Sequence, residues 1–263
     1  MKSLFLTVVL SFSASSILAE TIKSKIHEVE PDMILLENGR VVFMDGEAKS
    51  LVDAKSLNVD DWVEIKVDDR NSLESIQSME APEVSGPEEV EKSINYTPTN
   101  LSSQDQAVSI FSKMRRNYQN QSQCYNRAHI WAYEEFNRSG LQSIKLFMFF
   151  TRKYIRNYRY HWWFHVTPMT YVAGVPKTLD RRYTRGPLNI KTWTDVFIYS
   201  KRACPTVSKY TDYSQNQTVE DCFLIPVSMY YWQPRDILRN EQTGAEKTSF
   251  IRSEVNWAYD EAF

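Results

Sequence analysis

Between Glu80 and about Ser103 the chain changes character. Pro82, Pro87 and Pro98 stand among Glu83, Glu88, Glu89 and Glu91, with few apolar side chains between them. An acidic stretch punctuated by prolines buries too little apolar surface to pack a core. It divides the chain into a short N-terminal module over residues 20–79, a linker over 80–102 and a C-terminal domain over 103–263, of ordinary domain length.

The first residues have the character of an export signal. Lys2 precedes the mostly apolar run Leu4 to Leu10, and Ser/Ala-rich residues lead to Ala19. The run is too short to cross a bilayer, and the small residue at its end suits cleavage, so residues 1–19 read as a cleaved signal peptide. No later apolar stretch reaches membrane-spanning length. The expectation is a secreted or periplasmic protein without stable membrane insertion. A net charge of −2 argues against nucleic acid as the main partner. The basic and aromatic stretch Arg152 to Tyr160 reads as a solvated face with its tyrosines turned inward, the alternative being a platform for single strands.

In an oxidising compartment cysteines tend to pair, and this chain has three. Cys204 and Cys222 enclose a polar segment rich in Ser, Thr, Asn and Gln, the pattern of a loop stapled at its ends. Cys124 is then left as a free thiol; its pairing with one of the other two is the alternative.

In the module, Ile34 to Phe43 reads as two strands around Asn38-Gly39, a strong hairpin signal. Trp62 to Val67 alternates with period two as another strand, so a small all-β domain is expected. In the C-terminal domain Ser103 is a fitting N-cap for a helix reaching Met114. A second helix is expected from Cys124 to Arg138, closed by Ser139-Gly140. Cys124, Ala128, Trp131 and Ala132 would share one of its faces. Strands follow at Ile144–Thr151, Tyr158–Val172, Thr178–Tyr183 and Phe223–Trp232. A helix followed by successive antiparallel strands is α+β.

Cys124 at a helix start is the residue type and position that most suggest chemistry. Free backbone N–H groups and the positive dipole end stabilise a thiolate. A cysteine hydrolase also needs a base and a group to orient it. Of the four histidines, His27 lies in the module. His129 is five residues after Cys124, about 140° round the helix and turned away from the sulfur. His161 and His165 remain, on one face of an aromatic strand with Trp163 and Thr167; His165 is favoured by its central place. If the chain turns at Ala173-Gly174, His165 lies opposite roughly residue 182, which makes Asp180 a diagonal neighbour on the same face. The bland reading is a packed histidine and a surface aspartate. No metal-binding spacing and no phosphate loop occurs, and no cofactor is expected.

These residues resemble the bacterial protein-glutaminases, secreted enzymes that deamidate protein-bound glutamine. The likeness rests on Cys124-x-x-Arg127-Ala128-His129 at a helix start and on the aromatic strand Trp163-Phe164-His165-Val166. Leu179-Asp180 followed by Gly186-Pro187-Leu188 completes it. It implies a transglutaminase- or papain-like core with a cysteine-bearing helix on an antiparallel sheet. It also implies a Cys124–His165–Asp180 triad working through a thioester, with the N-terminal module in the position of a pro-region. Substrates would be proteins or peptides bearing glutamine; transglutamination, proteolysis or non-catalytic binding of an envelope component are the alternatives. The Cys124 N–H is a natural oxyanion donor, with Gln119, Gln121 or Gln123 as a possible second. Trp163 is a candidate for gripping the glutamine methylenes. Neither the sequence nor the likeness specifies an oligomeric state.

Overall fold

A computed structural model describes residues 20–53, 57–82, 89–92, 95–119, 123–158, 161–212 and 220–263. The expected signal peptide and Gln121 lie outside the described residues. Strands β1 (Glu20–Glu30), β2 (Met33–Leu36), β3 (Val41–Phe43), β4 (Trp62–Val67) and β5 (Leu73–Ser78) form the N-terminal module, with helix α1 (Glu47–Asp53) between β3 and β4. They make one antiparallel sheet in the order β3-β2-β1-β4-β5. The turn Glu37-Asn38-Gly39 joins β2 to β3, closed by the Leu36 N–H on Arg40 O at 3.0 Å, with Gly39 at φ +87°, a conformation that glycine adopts freely. Helix α1 departs from the all-β expectation. Ala48 and Val52, one turn apart, are buried with Ile65 and Val67, so a short amphipathic turn helps close the core.

The 80–102 stretch holds β6 (Glu89–Lys92) and β7 (Asn100–Leu101), and the C-terminal domain then opens with α2 (Gln104–Lys113) and α3 (Cys124–Ser139). Next come β8 (Ile144–Phe150), α4 (Arg152–Tyr158), β9 (Phe164–Val172), β10 (Val175–Thr178), β11 (Leu188–Asn189) and α5 (Ile190–Phe197). The chain ends with β12 (Cys222–Ser228), α6 (Pro234–Thr243), β13 (Ser249–Ile251) and α7 (Arg252–Ala262). The main sheet runs β11-β10-β9-β8-β12, with β7 added in parallel on β9. Helix α3 packs against β9, so a cysteine-bearing helix lies on an antiparallel sheet and the class is α+β. All seven residues of β8 are buried, as in a strand covered on both faces. Strand β6, from the stretch expected to be an unpacked linker, pairs with β13.

Local signals set several boundaries. Ser103 caps α2, its hydroxyl accepting from the Gln106 N–H at 3.3 Å. Gly140 ends α3 at φ +69°, where a left-handed residue stops a helix. Ala173 and Gly174, both at positive φ, turn β9 into β10. The expected strand from Tyr158 is shorter: Tyr158 ends α4 and the strand starts at Phe164. Cys204 and Cys222 are joined in a disulfide and Cys124 is free. Among the described residues no helix is long and apolar enough to cross a membrane.

The module packs directly on the main sheet of the C-terminal domain. Met33, Leu35 and Val41 share a buried cluster with Phe147, Phe149 and Phe164. The Val41 N–H donates to His161 O at 2.8 Å, the Trp163 N–H to Gly39 O at 3.0 Å, and Trp163 Nε1 to Leu36 O at 2.8 Å. His27 stacks on Trp163 with centroids 4.3 Å apart and hydrogen-bonds Tyr210 and Glu37. In the basic stretch read as a solvated face, Tyr154 is buried while Arg152 and Arg156 pair with Glu30 and Asp32 of the module.

Candidate active site

Cys124 is the first residue of α3, half-buried. Its N-cap is Gln123, whose side chain makes no capping bond. The first intrahelical bond belongs to the Arg127 N–H, 3.2 Å from Gln123 O. The N–H groups of the first turn ahead of it have no intrahelical acceptor and form the positive end of the helix. One turn on, Arg127 is buried between the rings of Tyr118 and Tyr183, each centred 5.9 Å from the guanidinium.

His165 sits on β9 opposite Met148, and its ring is almost fully buried. The β9–β10 ladder continues beyond Thr178, with the Leu179 N–H donating to Pro168 O at 2.8 Å. That register brings Asp180 beneath the histidine. His165 Nε2 lies 2.7 Å from Asp180 Oδ2, and the same oxygen accepts from Trp193 Nε1 at 2.9 Å. The Asp180 carbonyl in turn accepts from the Thr184 N–H and hydroxyl, which fixes the turn carrying it. Phe197, Tyr183 and Trp162 complete the wall round the imidazole.

The electrostatics follow from this packing. Burial is the largest influence on His165 and disfavours its charged form. The Asp180 charge and hydrogen bond, with a smaller contribution from the Cys124 thiol, outweigh it and raise the imidazole to about 9. Burial likewise works against the Asp180 carboxylate, but His165, the Trp193 N–H and the Arg127 charge hold it below its ordinary value. His165 Nδ1 is buried and makes no hydrogen bond within normal geometry. With Nε2 held by Asp180, Nδ1 is the nitrogen left to serve the Cys124 sulfur.

The structure therefore brings His165 and Asp180 into direct contact and puts Cys124 within electrostatic reach of the histidine. His161 is only partly exposed, and its side chain is depressed by burial and by Arg40. His129 is fully buried on the helix, its Nδ1 2.6 Å from Lys145 Nζ. Lys145, fully buried on β8, also donates to Tyr231 O at 2.5 Å. Burial pushes both groups well below their ordinary values, and the Lys145 and Lys247 charges add to this for His129.

Trp163 is not placed to grip a substrate. It is fully buried against His27 and bonded to Leu36 O, and Trp162 takes the place beside His165. Strict alternation from residue 161 fails because this segment is bent by its bonds to the module before β9 begins. Trp193 was not expected at all. It lies on α5, and nothing in its sequence neighbourhood points to Asp180. Gln119 is tied to α7 through its side chain, 2.8 Å from Asp260 O.

A cleft of about 890 Å³ reaches the helix start. Gln123 and Tyr125, the neighbours of Cys124, line it together with Arg127, Trp162, Tyr183 and Trp232. Residues of β1 in the module form another wall. Among the described residues no group of three or more His, Cys, Asp or Glu side chains could hold a metal ion.

Residues 99–197, which contain Cys124, His165, Asp180 and Trp193, match the family model described as a glutaminase. The resemblance read from the sequence therefore stands over that stretch. Among solved structures, a mutant of pro-protein-glutaminase is similar at 13% identity and TM-score 0.49, with 81% of this chain and 82% of that one covered. Another pro-protein-glutaminase structure is similar at 14% identity and TM-score 0.44, with 82% and 84% covered. No curated protein matches the chain.

Proposed function

We propose that this chain is an exported cysteine amidohydrolase that converts protein- or peptide-bound glutamine to glutamate with release of ammonia. The observation that carries the reading is the buried His165–Asp180 pair beside Cys124, inside the stretch that matches the glutaminase family. Cys124 is the nucleophile, His165 the proton carrier and Asp180 the group that holds the imidazole in place and favours its charged form.

The chemistry balances with these groups alone. The Cys124 thiolate attacks the side-chain carbonyl carbon of glutamine, and the electron pair of the C=O bond moves onto oxygen. N–H groups of the α3 N-terminus, that of Cys124 first among them, are the donors for this oxyanion. As the tetrahedral intermediate collapses, the C–N bond breaks and the His165 imidazolium gives its proton to the departing nitrogen. A thioester and ammonia result. Neutral His165 then takes a proton from water, the hydroxide attacks the thioester, and Cys124 leaves as thiolate, regenerating the ion pair and yielding glutamate.

Export belongs to the same proposal: the 1–19 segment has the charge and apolar pattern of a signal peptide, and the Cys204–Cys222 disulfide suits an oxidising compartment. The division into a 20–79 module and a 103–263 catalytic domain is retained as a functional one, with the module forming part of the cleft. Ammonia release from casein or a blocked glutamine dipeptide tests the reading. Wild-type protein should release ammonia without cross-linking or fragmenting the substrate. Cys124→Ala should lose at least a thousandfold in rate with an unchanged fold by circular dichroism. Ammonia release that survives in Cys124→Ala refutes the assignment, and cross-linking to lysines selects a transglutaminase instead.

A further inference from the structure

Strand β1 is longer than the strand beside it on one edge. β4 pairs with Glu20 through Lys25, whereas β2 pairs only from Ile26 onward. The β2–β3 hairpin ends beside Ser24, whose hydroxyl accepts from the Asn38 N–H, and the Glu37 N–H donates to Lys25 O. That last bond fixes the direction of the whole strand. In a strand, the N–H and C=O of one residue point to the same side, and those of the next point to the opposite side. Lys25 faces the β2 side, so Lys23 and Thr21 do too. Ile26 faces β4, its N–H donating to Asp61 O, so Ser24, Ile22 and Glu20 serve the β4 ladder. The N–H and C=O groups of Thr21 and Lys23 therefore lie on an edge that no described strand occupies.

That edge looks into the cleft. Six consecutive residues, Glu20 to Lys25, line it. Alternate side chains of a strand point to opposite faces of the sheet, so an unbroken run can line one cavity only if the backbone edge faces it. The two lysines leave the edge open: Lys23 reaches across to Glu64 and Lys25 lies over the Trp62 ring, both on β4. The same cleft is walled from the catalytic domain by the residues flanking Cys124 and by Trp162, Tyr183 and Trp232. Its volume is toward the upper end of the range for pockets that enclose a whole ligand.

We propose that the free edge of β1 at Thr21 and Lys23 is a docking strand for substrate polypeptide: an extended glutamine-bearing segment adds to the module's sheet and is thereby carried past Cys124. Main-chain bonds to the edge supply sequence-independent affinity, and the aromatic wall takes alternate side chains. The proposal rests on the deamidase reading for the nature of its occupant. It predicts a preference for unfolded or loop segments, since only these can offer a free main chain.

Proline at position 23 tests it in the full-length chain. Lys23→Pro deletes the outward N–H without touching the β4 ladder, the setting in which strands tolerate proline. Lys23→Ala is the reference, because it too loses the ion pair with Glu64. In a Cys124→Ala background, labelled casein should bind Lys23→Pro about threefold to tenfold more weakly than Lys23→Ala by fluorescence anisotropy. Equal or tighter binding by the proline variant overturns the proposal. If the proline variant loses its thermal transition, amide exchange on the Cys124→Ala protein decides. Added casein should slow exchange at Thr21 and Lys23, and an absence of protection there overturns the docking strand. Both readouts are binding measurements, so a wild-type protein that releases no ammonia would sink the deamidase reading and leave the docking strand to be judged separately.

Discussion

Replacing Asp180 with asparagine keeps the shape of the side chain and removes its charge. In the folded protein His165 is raised from an ordinary 6.5 to about 9 although burial opposes its charged form. At about 1.4 kcal/mol per pH unit, that favours the imidazolium by roughly 3 kcal/mol. Asp180 is the largest source of this preference. In Asp180→Asn burial dominates, the imidazole falls below 6.5, and at pH 7 most of the proton donor is lost. A loss of about a hundredfold in kcat/KM at pH 7 is expected, and the alkaline limb of the pH–rate profile, near 9 in the wild type, should move acidward by two or more pH units. Ammonia release from a blocked glutamine dipeptide between pH 5 and 10 measures both. Stability should respond with the same signs. A raised histidine contributes stability that is full below 6.5 and lost as pH rises through about 9. A depressed Asp180 contributes stability above its ordinary carboxylate value that is lost in acid. In Asp180→Asn the fall in thermal midpoint between pH 6.5 and about 9 should disappear, and the depressed histidine should instead make stability rise with pH up to 6.5. An alkaline limb that stays near 9 with kcat/KM within about threefold of wild type would refute the argument that Asp180 sets the charge of His165.

Trp193→Phe keeps the packing on Phe197 and removes one of the two donors to Asp180 Oδ2. Asp180 should become easier to protonate, moving the acid limb of both activity and thermal stability to higher pH, with a stability loss of about 1–2 kcal/mol at pH 7. An acid limb that does not move would show that the indole only fills space. For buried Lys145, held well below its ordinary value, the unfolded chain binds the extra proton, so this residue makes stability rise with pH toward 10.5. In Lys145→Met that contribution disappears. Urea titrations should show the stability difference between variant and wild type shifting in favour of wild type from pH 7 to pH 10, and a constant difference would contradict the burial argument.

Much of the site could be read in the sequence because its geometry is local. Ala173-Gly174 turns the chain tightly, so the register of β9 against β10, and with it the meeting of His165 and Asp180, follows from counting residues. The start of α3 is likewise marked by nearby residues, as is its glycine stop. The parts that escaped depend on contacts distant in sequence. Trp193 reaches Asp180 from a helix that no strand pattern announces. Trp162, not Trp163, stands beside His165 because Gly39 and Leu36, more than a hundred residues away, hold the backbone and indole of Trp163. Lys145 went unremarked in the apolar run Ile144 to Phe150, and its burial is explained only by His129 and the Tyr231 carbonyl, which the fold brings to it.

The packing of the β2–β3 hairpin against Phe147, Phe149 and Phe164 also bears on the order in which the chain folds. Contacts separated by so many residues are slow to form, because a long loop must close before they stabilise anything. A hairpin with a short turn closes within microseconds. If the chain is delivered N-terminus first, the module stands ready before β8 emerges. The run Ile144 to Phe150, with one charge and no proline or glycine, is the kind of segment that aggregates while exposed. By offering Met33, Leu35 and Val41 as a preformed partner, the module would serve as a template that captures β8 early. The expectation is kinetic: a circularly permuted chain that places 20–79 last should refold more slowly and with more aggregate than the natural order, at similar equilibrium stability. Equal refolding rates and yields would remove the template role and leave the hairpin as a cover alone.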